Sequence, residues 1–156
     1  RNGYEMELFI ETADVPNGMS GLDGNVAALG GSWAFIILKH VCAQIAEAGG
    51  VRDRLERLQA LSMELPGVSE EPALLQQLPK EFISEDDCVG ILIGAPKPDF
   101  PALIPNMPLS PVLLVPIVLL TAAELDVVRG AGAAGRNTVV AKLTSAGSGH
   151  ISRLSR

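Results

Sequence analysis

The chain has 156 residues, 47% hydrophobic but only 4% aromatic, with a net charge of −6 at pH 7. That length can build one sizeable core, and a mean hydropathy of +0.30 excludes a disordered composition. The acidic balance argues against nucleic acid as a partner, because such binding rests on Lys and Arg neutralising phosphates.

The charge is placed unevenly. Every acid lies at or before Asp126, whereas the remainder carries Arg129, Arg136, Lys142, Arg153 and Arg156. Bases spaced so widely are expected to pack beside the acidic body rather than form a binding surface of their own. The chain opens on Arg1 rather than Met, so we expect part of its native N-terminal portion, and any signal peptide on it, to be missing. Cys42 and Cys88 have neither C-x-x-C nor metal-ligand spacing. Both are expected to be small buried hydrophobes in a reduced, cytoplasmic protein, with a single disulfide left open.

Tyr4–Glu11 alternates strictly, with Tyr4, Met6, Leu8 and Ile10 on one face and Glu5, Glu7, Phe9 and Glu11 on the other. This is the period of a half-buried strand with a largely acidic outer face. Thr12–Gly31, rich in Gly with Pro16 and Asn17, reads as a long loop. Ser32 then caps a helix running to about Ala48 and stopped by Gly49-Gly50. Its inward stripe holds Trp33, Ile36, Ile37, Val41 and Ile45, with His40 inside the stripe. A second helix is expected over Val51–Leu61, with Val51, Leu55 and Leu58 inward. From Ser62 to Asp87 the pattern degrades at Pro66-Gly67, Glu70-Glu71-Pro72 and Pro79, leaving one short helical turn at Leu74–Leu78.

Cys88–Gly94 is a short apolar strand, buried on both faces if central. Phe100–Ala123 has no charged residue, which on hydropathy alone suggests a membrane span. Pro101, Pro105, Pro108, Pro111 and Pro116 argue against a spanning helix. The stretch is instead a Pro-rich connection into the strand Val112–Leu120. Pro116 removes a backbone donor, so an edge or a bulge is expected there. A helix from Ala122 ends near Arg129, another covers Asn137–Ser145, and His150–Leu154 forms a last short strand. The elements mix without the steady alternation of a doubly wound fold. The fold class is therefore α+β, a mixed β-sheet with helices packed on it.

Few motifs carry chemistry. Gly130–Gly135 matches the G-x-G-x-x-G dinucleotide fingerprint, but it follows a helix and no acid lies downstream to hold a ribose. It is expected to be a flexible connector between helices. Thr121-x-x-Glu124 fits a capping box, and a catalytic Glu124 would need an acid or base partner that the sequence does not suggest. His40 and Cys42 stand two apart on a helix and cannot pair. Glu85-Asp86-Asp87, with Glu81 upstream, offers oxygen ligands but lacks the spacing and the Gly of an EF-hand. It reads as a solvated acidic turn that also raises the Cys88 thiol pKa. No catalytic residue, metal ligand or cofactor is assigned. An enzyme, such as a small hydrolase, would have to draw on His40, His150, Cys88 and Glu124, and an open edge at Pro116 would favour a homodimer.

Taken together, Gly3-Tyr4-Glu5-Met6-Glu7-Leu8, the helix from Trp33, Val89–Ile93, Val112–Leu125 and Ile151-Ser152-Arg153 form a pattern. It resembles the suppressor of fused domain family across most of the chain, although the family's Gly-His strand region is not recognisable within Ser62–Asp87. The resemblance implies a single domain and a non-enzymatic protein-binding module. Eukaryotic relatives sequester transcription factors, and bacterial single-domain relatives are proposed immunity proteins against secreted toxins. A short acidic chain looks like the bacterial type, with a basic toxin as the partner expected. No binding residue carries over position by position.

Overall fold

The computed structural model describes residues 4–15, 26–95, 97 and 99–156; the middle of the expected loop Thr12–Gly31 lies outside them. In chain order the elements are β1 (Met6–Phe9), α1 (Val26–Leu29), α2 (Trp33–Ala48), α3 (Val51–Leu58) and β2 (Leu61–Pro66). They continue with α4 (Pro72–Gln77), β3 (Cys88–Ile93), β4 (Leu103–Ile104), β5 (Val112–Leu120) and α5 (Ala122–Ser145). The sheet runs β1-β5-β3-β2, with β4 beside the start of β5. β1 is parallel to β5 and the other pairings are antiparallel. The fold is α+β with a mixed sheet.

Both faces of the sheet are packed. On one, Trp33, Ile37, Val41 and Ile45 of α2, with Leu55, Leu74 and Phe82, meet Ile91, Ile93, Val115, Ile117 and Leu119. On the other, Val128, Val139 and Leu143 of α5 meet Leu92, Val118 and Leu120. β3 is buried at every position, as a continuous apolar run between two layers should be.

α2 follows its sequence signals. The Ser32 hydroxyl accepts from the Phe35 amide at 3.3 Å, and Gly49 at φ 61° ends the helix. The Trp33 indole is fully buried and donates to the Asp14 carbonyl at 2.5 Å. The stripe is narrower than expected, however. His40 is exposed, one turn above Ile36 at the rim of a groove lined by Gln44, Leu65, Gly67 and Glu70. Cys42 is exposed too, because the position after Val41 turns about 100° away from the core.

α3 stops at Leu58, since Gln59 takes φ 63°. Leu58 therefore stays 47% exposed, and Leu61 opens strand β2 instead of closing the expected helix. In β2, Leu61, Met63 and Leu65 stand opposite Ile93, Ile91 and Val89. Pro116 lies inside the sheet rather than at an edge. It occupies the seam where β5 changes neighbours: the Gly94 amide donates to the Pro116 carbonyl, and the Leu114 amide donates to Ala102. A missing donor is tolerated there because the β3 ladder, which begins at Ile117, does not extend to it.

The expected connector Gly130–Gly135 lies within α5. The chain folds back at Gly132 alone (φ 55°, ψ −121°), so the two predicted helices are two arms joined at one residue. His150–Leu154 is not a strand. Among the described residues it forms only the bridge Glu11–Ile151, and the buried Ser152 hydroxyl accepts from the Leu119 amide at 3.0 Å. Side chains of this tail, not a ladder, thus cover the β5 edge beyond β1.

Candidate binding surface

The four groups that catalysis would need are kept apart. His40 sits on the α2 rim, Cys88 is buried at the start of β3, and Glu124 is buried in the first turn of α5. His150 meets Glu11 at 2.5 Å beside the Phe9 ring. Among the described residues no hydrogen bond or ion pair joins any two of the four.

Cys88, Glu124 and His150 each have a structural partner. Glu124 completes a reciprocal cap, accepting from the Thr121 amide at 3.0 Å while its own amide donates to the Thr121 hydroxyl at 3.2 Å. It also meets Lys142 at 3.2 Å and Arg156 at 3.4 Å, partners that the sequence did not suggest. Burial lowers the Arg156 guanidinium pKa, an effect that the Glu124 charge opposes. For Cys88 burial is the main cause pushing the thiol up, with Asp86 and Glu64 adding to it, so thiolate chemistry is disfavoured.

The acidic run is held by an arginine. Arg129 donates to both oxygens of Glu64 at 3.0 and 2.6 Å and to both of Asp86 at 3.1 and 2.8 Å. Ligand atoms of Glu64, Asp86 and Cys88 lie within 4.8 Å of one another, a set that could offer a cation two carboxylates and a thiolate. Arg129 already supplies the positive charge. Asp87 instead accepts from the Ser69 amide and hydroxyl, the latter at 2.6 Å. Arg129, Lys142 and Arg156 therefore lie against acids of the body, as expected for the basic tail.

The Arg129 hydrogen bonds, with help from the Ser84 hydroxyl, lower the Asp86 pKa to about 2. An unfolded aspartate titrates near pH ~3.9. A depressed native pKa contributes stability that is present above the unfolded value and lost as pH falls towards the native one. Urea midpoints should thus fall between about pH 4 and pH 2. They should fall less steeply in Arg129→Gln; equal slopes would contradict the clamp.

What remains accessible is of another kind. Every position from Asp99 to Leu109 is exposed, and Phe100–Leu109 contains no charge. Phe100, Leu103, Ile104, Met107 and Leu109 are all exposed, Leu109 by 69%. The two β4 residues anchor this segment to the start of β5, opposite Leu113 and Val112. Phe100 stacks on Phe9 of β1 with ring centroids 4.6 Å apart.

The surface continues onto the sheet. α5 packs over Val118 and Leu120, but Leu114 and Pro116 on the same face of β5 line an open groove. Their neighbours in register are Glu7 and Phe9. An exposed run of apolar side chains without a charge, as over Phe100–Leu109, is unusual on a protein with no partner. The signal was in the sequence: a charge-free run whose apolar residues had no period that would bury them.

No family model, curated protein or solved structure matches this chain. Among the described residues no single helix is long and apolar enough to cross a membrane.

Proposed function

We propose that this chain is a non-enzymatic protein-binding module of the suppressor of fused type. In this reading it is a bacterial cytoplasmic immunity protein that neutralises a basic toxin. The observation that carries it is the exposed segment Phe100–Leu109, with five large apolar side chains and no charge. Apolar surface at the centre of an interface supplies most of its binding energy, and a polar rim excludes water from it.

The acidic balance supports a basic partner. A net charge of −6 speeds encounter with a cationic protein such as a nuclease, mainly through the association rate. Separation of His40, Cys88, Glu124 and His150 favours binding over catalysis.

Co-expression with any toxin gene adjacent to its own tests the reading. Protection of growth that depends on this chain is expected. A toxin that kills equally well in its presence would overturn the immunity role, and a purified complex sensitive to salt would support the electrostatic part.

A further inference from the structure

We propose that the groove at the sheet seam is a binding site for a small amphiphilic carboxylate, with Lys97 as its anion anchor. The groove has a volume of about 300 Å³ and is walled by Leu55, Ala95, Ala102, Leu114 and Pro116. That volume lies at the small end of ligand pockets, which combine apolar walls with a few placed polar groups. The tail it accepts is correspondingly short.

Lys97 is the cation of this groove. Its ammonium donates to the Leu114 carbonyl and lies 5.7 and 6.0 Å from the centroids of the Phe9 and Phe100 rings. One carbonyl takes one of three N–H donors, and among the described residues no carboxylate forms an ion pair with it. Desolvation lowers its pKa, as expected of a cation seated against apolar walls. The acid that lines the groove, Glu56, is already bonded to Arg52 at 3.0 Å. The unmatched charge is therefore positive, and a carboxylate with an apolar tail complements both the charge and the walls.

The groove borders the exposed segment of the protein-binding reading and shares Ala102 with it, but carboxylate binding and partner capture are read separately, so either can fail alone. Calorimetric titration of the purified chain with octanoate tests it, with octanol and octylammonium as probes of the tail and of the charge. Saturable one-to-one binding of octanoate is expected, weakened about tenfold or more in Lys97→Met and largely kept in Lys97→Arg. Ala102→Trp, which fills the groove from its exposed side, should abolish it while leaving the unfolding curve in place. Equal affinity for octanol, undiminished binding by Lys97→Met, or no octanoate binding at millimolar concentration would each overturn it. The last result would leave the groove to an acidic side chain of a protein partner.

Discussion

Gly135→Ala is expected to destabilise the protein by about 3 kcal/mol, although alanine is favoured over glycine in a helix by about 1 kcal/mol. The reason is the fold-back of α5. Residues 127 and 135 would stand about 12 Å apart along a straight helix. Instead, a Cβ added at Gly135 would lie 2.3 Å from the Val127 carbonyl oxygen and 2.9 Å from the Val128 Cα. Both obstacles are backbone, so relief requires the two arms to separate. Separation would loosen the packing of Val128, Val139 and Leu143 on their shared face of the sheet. Gly130 supplies the control, since a Cβ there meets nothing within 4 Å, and Gly130→Ala should be neutral or mildly stabilising. Urea unfolding of the two variants decides the matter. A similar response at both glycines would mean that the arms are not in contact.

Glu124→Ala is expected to cost about 3–5 kcal/mol, the range for removing one member of a buried ion pair. The side chain is 4% exposed and faces Arg156, whose side chain is 11% exposed and lies over the Phe82 ring. Its removal leaves the guanidinium without its ion-pair partner, with Glu81 the remaining acid acting on it, and the Thr121 amide without its acceptor. Thr121→Ala takes away one arm of the capping box alone and should cost about 1 kcal/mol. Glu124→Gln keeps an acceptor for the cap and removes only the charge, so it should fall between the two. Chemical denaturation gives the order. If Glu124→Ala costs no more than Thr121→Ala, the contact with Arg156 contributes nothing and the buried pair is not a stabilising feature.

Local signals in the sequence are legible where one rule decides the outcome. Ser32 and Gly49 bound α2 because capping depends on a few adjacent groups, and Thr121 with Glu124 formed both arms of its box for the same reason. Cys88–Gly94 is legible as an apolar strand, buried on both faces if central, and Cys88–Ile93 forms it, because burial on both faces leaves only apolar residues. Failures came where distant partners decided. β2 alternates Leu61, Met63 and Leu65, but the turn residues around it obscured the period, and its identity rests on pairing with β3. Pro116 reads as an edge or a bulge because the exchange of β3 for β4 beside it is a property of topology. His40 and Cys42 are exposed, not buried as expected, because the surface that α2 covers is narrower than its apolar stripe.

Of the binding surface, the sequence revealed the ingredients and not the arrangement. Absence of charge over Phe100–Ala123 was evident, but whether those residues were buried or exposed depended on the rest of the sheet. Val112–Leu120 went into the core and Phe100–Leu109 did not. The Glu124–Arg156 pair was invisible because it joins residues more than thirty positions apart with no pattern in between.

The most direct test of the protein-binding account is quantitative affinity capture from lysate of the source cell. Wild type would be compared with Met107→Asp/Leu109→Asp, two exposed positions outside any strand whose replacement should leave the urea midpoint unchanged. The account predicts a partner retained by wild type and depleted about tenfold or more by the variant, as expected for loss of an interface hot spot. Equal recovery of every captured protein by both would contradict it.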